Sequence, residues 1–373
     1  MSEYQCYEFV ALDRPLTATQ MAELRAISAR AEISPARFWN EYQWGDLKAD
    51  PAKLMARYFD AHLYFANWGT RRLMLRLAKA RVDASALTPY FGIGHAARLT
   101  SVGEHVVLDL GSDTDEPEPD ENNGGSLAVL SPLRAELMRG DLRPAYLAWL
   151  LAVDGANVDD NAKEPPVPAG LAQLSAAQGA MVEFLRIDVD LVAAAAGGSA
   201  AATDDGAAFR RWLAALSDKQ KNVWLQRAAD EPDRALGGEL LRTFRAAAKG
   251  DRGSTRRTVG ELRALAAAQR TDRENAEAAR ANKARTAADT ARRRHLMALG
   301  RDVDLAWTNL EKLVGASRYD AATTLAVDLR DLATRDGTAD SFADRFEALR
   351  KRQLRRRGFF DRWKRANDSG SKR

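Results

Sequence analysis

Cysteine is nearly absent from this chain of 373 residues, and Cys6 is the only one. An internal disulfide is therefore excluded, as is a zinc site built on paired cysteines. No run of about 18 apolar residues occurs, so no transmembrane helix is expected. Met1 to Val10 is polar and aromatic and lacks the basic start and apolar stretch of a secretory signal. Together these features point to a reducing cytoplasm. Histidine is scarce too: His62, His95, His105 and His295 share no ligand spacing, and HExxH does not occur. Neither GxxxxGK[ST] nor GxSxG is present, which removes the P-loop and the nucleophile elbow.

What is present is enough apolar material for real cores, 46% of the residues with eight tryptophans, and a length that suits two or three domains. The net charge of +4 hides an asymmetry. Residues 350–373 contribute +9 and residues 252–294 contribute +7, which leaves −12 on the rest. An acidic body with two basic C-terminal segments suggests contact with nucleic acid, an acidic protein or a membrane surface. The bland alternative has the basic segments lying on the acidic body.

The first 110 residues read as an α+β domain, a ferredoxin-like-sized sheet with helices on one face. Tyr4–Leu12 suits a strand. Thr17 is the expected N-cap of a helix carrying Met21, Leu24 and Ile27, and Phe38–Trp44 suits a second strand. Asp50 before Pro51 is a cap and first-turn pair. Leu54, Met55, Tyr58, Phe59, His62 and Phe65 then recur at helical spacing. Trp68–Leu77 alternates as a strand, and Arg98–Thr100 with Val106–Leu110 reads as a hairpin around Gly103.

Residues 111–126 form an acidic linker, and strand signals fade after it. Residues 127–250 read as a helical domain. It has a helical pair divided by Gly140, a second linker at 154–169 with three prolines, and helices over 173–185, 189–196 and 209–229. The Ala/Gly stretch 193–207 is low in complexity and is expected to be loose. Residues 251–300 are the long basic helix, clearest over 254–299, where Ala, Arg, Glu and Gln dominate and no proline occurs. Its stripe begins with Val259, Leu262 and Leu265 and weakens to Ala276, Ala279, Ala284, Ala287 and Ala291. A coiled coil would place Leu or Ile there, so the expectation is a long, partly exposed helix that packs through small residues, with a partner helix as one candidate for the packing. Residues 301–373 are short helices ending in a basic tail.

Candidate chemistry is thin. Gly92-Ile93-Gly94-His95-Ala96-Ala97 fits GxGxxA, but a strand is expected after it where a dinucleotide fold needs a helix, so a turn is the expectation. Asp113, Asp115, Glu116, Glu118, Asp120 and Glu121 are hard oxygen ligands in type. Pro117 and Pro119 break the calcium-loop pattern and favour a solvated acidic loop. Glu104, His105 and Asp109 could form an acid–base group on one hairpin, against plain structural roles. Trp39, Tyr42, Trp44, Tyr58, Tyr64, Trp68 and Tyr90 offer a recognition surface or, alternatively, core. No cofactor and no metal is implied.

The strongest binding candidate is the tail: Arg350, Lys351, Arg352, Arg355, Arg356, Arg357, Arg362, Trp363, Lys364 and Arg365. Such a cluster neutralises phosphates. A basic amphipathic helix also suits a membrane surface, and the structural alternative docks Phe359, Phe360 and Trp363 on the body.

Two resemblances accompany these patterns. The opening Ser2-Glu3-Tyr4, Tyr7-Glu8-Phe9 and Asp13-Arg14-Pro15-Leu16-Thr17 resembles that of a group of uncharacterised bacterial proteins. Trp44-Gly45-Asp46, Arg57-Tyr58-Phe59-Asp60, Ala66-Asn67-Trp68-Gly69-Thr70 and Arg139-Gly140-Asp141-Leu142-Arg143 agree with that group, which brings no activity with it. Tyr319-Asp320-Ala321-Ala322, Asp328–Ala333, Phe342 and Leu349-Arg350 are similar to the C-terminal helices of bacterial SWIM zinc-finger proteins. The finger itself needs paired cysteines, which this chain lacks, so zinc does not transfer and the shared helices imply a common scaffold or partner.

The resulting expectation is a bacterial, non-enzymatic interaction or scaffold protein that docks a protein partner through the long helix and the tail. The alternative is a nucleic-acid-associated accessory protein, and an enzyme with an unfamiliar site is third. The oligomeric state stays open.

Overall fold

A computed structural model describes residues 3–114, 126–155, 158–201, 205–230, 236–248 and 256–370. Most of the acidic linker, Asp115–Gly125, lies outside them, with Ala202–Asp204 of the Ala/Gly stretch and Asp251–Thr255 before the long helix. The chain divides into two units, Met1–Asp272 and Arg273–Arg373.

The first unit begins with β1 (Gln5–Val10), α1 (Ala18–Ile27), β2 (Glu32–Ile33), β3 (Arg37–Tyr42), α2 (Pro51–Arg57), β4 (Ala61–Ala66), β5 (Arg71–Ala78), α3 (Ala84–Leu87), β6 (Ala97–Val102) and β7 (His105–Ser112). The seven strands form one sheet in the order β2-β3-β1-β4-β5-β7-β6, with every pairing antiparallel. Local chemistry explains the helix starts. Thr17 accepts the Gln20 N–H while the Gln20 side chain accepts the Thr17 N–H, a reciprocal cap. Asp50 accepts the Ala52 N–H ahead of Pro51.

The helical spacing through His62 and Phe65 misleads. α2 stops at Arg57, and Ala61–Ala66 is the central strand β4. Both faces of β4 are covered, so its side chains are apolar almost throughout and show no alternation to read. Asp60, just before it, takes the N–H groups of Leu12 and Asp13 and the Arg76 guanidinium. Burial alone would raise its carboxyl, but these donors outweigh burial and hold it below its ordinary value.

Strand alternation sorts two cores. Tyr7, Phe9, Met74 and Val107 face α1 and α2, against Leu24, Leu54 and Met55. Cys6, Leu63, Phe65, Leu75 and Leu108 face the other way. That second face is covered by α4 (Leu127–Leu130), α5 (Pro132–Met138), α6 (Arg143–Asp154), α7 (Ala176–Phe184) and α8 (Val189–Gly197). The compositional break near 110–126 is therefore not a break in the core, and helices lie on both faces of the sheet. The end of the sheet and the end of α7 are clasped reciprocally. Arg71 donates to the carbonyls of Glu183 and Phe184, and Arg186 donates to that of Gly69.

The described part of the second expected linker is packed. Glu164 is buried, its carboxylate meets Arg257 and the Tyr146 hydroxyl, and Lys163 bridges Thr258. After α8 come α9 (Asp205–Ala215), α10 (Asp218–Asp230) and α11 (Leu236–Ala248). The expected single helix over 209–229 is two, because Ser217 caps α10 through Gln220. Phe209, Trp212 and Phe244 stack into a small cluster there.

α12 (Val259–Leu299) is the long helix, of 41 residues. Val259, Leu262 and Ala266 enter the second sheet core, whereas Leu265 is exposed. Arg263 holds Asp160 and the carbonyls of Val153 and Gly155, and Arg270 holds Asp188. Every residue from 267 to 291 is exposed, the expected alanines included. Alanine's helix propensity, rather than burial, sustains this stretch. α13 (Val303–Gly315), α14 (Tyr319–Arg335), α15 (Ala339–Arg352) and α16 (Arg357–Gly370) complete the second unit around Trp307, Leu310, Leu329, Leu349 and Phe359. The described residues are α+β at the start of the chain and helical after it.

Candidate interaction surface in the C-terminal helices

The acid–base candidates of the first unit are engaged structurally. Burial, then the charge of Glu8, pushes the Cys6 thiol up to about 11, which leaves it protonated. His62 is fully buried between Phe9 and Tyr7, with Nδ1 on the Glu8 carbonyl, and burial lowers it to about 3. Asp109 is held by both ends of the Arg72 fork, so it does not serve His105. Burial and then Arg76 lower His105 below its ordinary value. Gly92 and Gly94 take positive φ in a turn that runs into β6, so the turn is followed by a strand and not by the helix that a dinucleotide fingerprint needs. Of the seven aromatics, Tyr42, Tyr58 and Tyr90 are buried, Trp39 and Tyr64 are half-buried, and only Trp44 and Trp68 are exposed. Among the described residues no cluster of three metal-ligating side chains occurs.

The basic tail is ordered helix and turn. Arg350, Lys351 and Arg352 end α15, and a short turn leads to Arg357 at the start of α16. Leu349 and Phe359, both fully buried, anchor the turn from either side. The Arg356 N–H donates to the Gln353 carbonyl, and the Arg356 carbonyl accepts from Phe359. The Arg356 guanidinium reaches across to the α13–α14 turn, donating to Ser317 Oγ at 2.8 Å and to the Gly315 carbonyl at 2.7 Å. A cation is favourable there, at the carbonyl end of α13.

That bond brings two turns together that are about 40 residues apart in sequence. Arg318, exposed, and Lys312, in the last turn of α13, join the tail's cations. Arg352 pairs with Glu311 at 2.6 Å and Arg362 with Asp320 at 3.0 Å, while Arg350, Lys351, Arg355, Arg357 and Lys364 are exposed. Arg365 donates Nε to the Asp361 carbonyl. From Ala348 to Phe360 there is no carboxylate and there are six cations. The Tyr319 ring lies under Arg362, 5.7 Å away. Hydrogen bonding to Ser317, then the nearby Arg356 and Arg362, pull its phenol below the ordinary value.

The aromatics that interleave with the tail point inward. Phe359 is buried, and Trp363 packs 4.7 Å from Phe346 and 5.9 Å from Phe342, with Arg330 over its face. Phe360 and Trp363 are half-buried, each with one part of its ring packed on the bundle. Beside this surface an open cleft of about 730 Å³ is lined by Arg292, Arg362, Arg365, Asp320, Asp328 and two threonines. Its charge is mixed, and Arg292 and His295 already share Asp328.

Sequence reasoning found the tail's cations but missed Arg318, Lys312, Ser317 and Leu354. No local pattern ties residue 318 to residue 356, and only the fold does so. No protein-family model, curated protein or solved structure matches this chain.

Proposed function

We propose that this chain is a non-enzymatic interaction protein that docks an anionic partner on the basic end of its C-terminal helices. One observation carries this reading. The contact of Arg356 with Ser317 and Gly315 gathers cations of two separate turns onto one surface whose central stretch holds no carboxylate. A solvated helical face would intersperse both signs, as the exposed stretch of α12 does in Arg273, Glu274, Glu277 and Arg280. The burial of Cys6 and His62 and the pairing of Asp109 with Arg72 support the non-enzymatic part of the reading.

Nucleic-acid phosphate is a second reading. It would use the same cations together with Arg280, Lys283 and Arg285, which lie on the exposed stretch of α12.

Retention on heparin, a polyanion, tests the proposal. The variant Lys351→Gln/Arg355→Gln/Arg357→Gln should elute at clearly lower salt than the parent. The control Arg280→Gln/Lys283→Gln/Arg285→Gln removes the same charge from α12 and should elute close to the parent. Equal shifts in the two variants would mean that net charge, not this surface, governs binding, and the proposal would fail.

A further inference from the structure

The turn between α15 and α16 carries an apolar tip. Leu354 is 70% exposed. Its neighbours in sequence are Lys351, Arg352, Arg355, Arg356 and Arg357. A single exposed leucine is ordinary; one held at the crest of a cationic turn is a different arrangement. The turn cannot fold the leucine inward. Buried Leu349 and Phe359 fix its two ends, and the guanidinium of Arg356 is tied to the neighbouring turn.

We propose that this tip binds an anionic lipid surface, with Leu354 entering the boundary between headgroups and acyl chains while the surrounding cations meet lipid phosphates and carboxylates. The inference rests on the basic surface described above and names its partner. Two observations favour lipid over nucleic acid. An apolar tip gains nothing from a phosphate backbone but gains burial in a bilayer. Of the tail's rings Phe359 is buried and Phe360 and Trp363 are half-buried against Phe342 and Phe346, so none is as exposed as Leu354 for stacking on unpaired bases. No helix among the described residues is long and apolar enough to cross a membrane, so contact of this kind is peripheral.

The strength of such contact follows from its parts. Each cation near an anionic surface strengthens partitioning by about fivefold, and burying much of one leucine adds on the order of tenfold. The cations together supply the larger part, and Leu354 adds the part that distinguishes a bilayer from a soluble polyanion.

Sedimentation of the full chain with vesicles supplies the test. Binding is expected to vesicles of phosphatidylcholine with phosphatidylserine, and not to phosphatidylcholine alone. Leu354→Ser should weaken it by roughly tenfold with helicity and heparin retention unchanged. A Leu354→Cys variant labelled with a polarity-sensitive dye should shift to the blue on phosphatidylserine vesicles, and buried Cys6 leaves the new thiol as the reactive one. Failure to bind the anionic vesicles, or equal binding by Leu354→Ser, would overturn the inference while the heparin result still stands for the broader reading. Binding to duplex DNA or RNA that exceeds vesicle binding at the same salt, and is indifferent to Leu354, would assign the surface to nucleic acid instead.

Discussion

Consider the replacement of Glu164 by alanine. Glu164 is 2% exposed, and its carboxylate accepts from Arg257 Nε at 2.8 Å and Nη2 at 2.7 Å. It also accepts from the Tyr146 hydroxyl. The variant leaves a guanidinium and a phenol facing a gap. Removing one partner of a buried pair costs about 3–5 kcal/mol. Water reaches Arg257, whose side chain is 21% exposed, and this moves the cost toward the lower end. The orphaned, buried Tyr146 hydroxyl adds about 1 kcal/mol. A total of about 4 kcal/mol is expected. At about 2–4 °C per kcal/mol for a body of this size, the first unit should melt about 10 °C lower. Scanning calorimetry is the assay, because a chain of two units need not melt in one step. Tyr146→Phe, which removes the hydroxyl alone, should cost only about 1 kcal/mol. Tyr146 sits beside Trp149, with ring centroids 5.5 Å apart, so tryptophan fluorescence follows the same transition. A shift under about 2 °C for Glu164→Ala would refute the reasoning, since it would mean that the pair's desolvation had cancelled its attraction and that Arg257 rehydrates freely.

Arg356→Ala should lower the melting of the second unit by about 1–2 kcal/mol, through loss of the bonds to Ser317 and Gly315; Arg355→Ala, exposed and without such bonds, should leave calorimetry unchanged. His62 gives a pH signature. Its folded value near 3 lies below its ordinary 6.5, so the unfolded chain binds the extra proton between those values. Stability is then lost as pH falls from about 6.5 toward about 3, by up to about 1.4 kcal/mol per pH unit, and His62→Gln should flatten urea midpoints measured across that window. Cys6, protonated and buried, should resist a thiol reagent at pH 8 in the folded chain and react to one equivalent after denaturation.

The legible parts of this fold are those where a local rule acts alone. Thr17 and Asp50 announce their helices because a side-chain oxygen before an apolar periodicity has one common use. β1, β5 and the β6–β7 hairpin announce themselves by alternation or by Gly103, and the alanine-rich composition of α12 by propensity. β4 was illegible because a strand covered on both sides loses its period. Residues 154–169 read as a linker because three prolines speak for loops, while the burial of Glu164 depends on Arg257, 93 positions away. The candidate surface divides in the same way. Its charge is written in residues 350–365, but whether Phe359 and Trp363 face out or in depends on Phe342 and Phe346. Arg318 belongs to the surface only through a hydrogen bond between two turns.

One core described above has a history as well as a shape. The apolar face of the sheet that carries Leu63, Leu75 and Leu108 is closed by α4–α8 and finally by Val259, Leu262 and Ala266. On the ribosome all seven strands are made well before that last cover exists. At about 5–20 residues per second, the interval between the end of β7 and residue 266 lasts on the order of ten seconds. During it the face closes in steps, as α4–α8 emerge, and the part that Val259, Leu262 and Ala266 cover is the last to be closed. A face that needs residues about 150 positions downstream to complete its cover is exposed in part for much of synthesis, whatever the finished protein does.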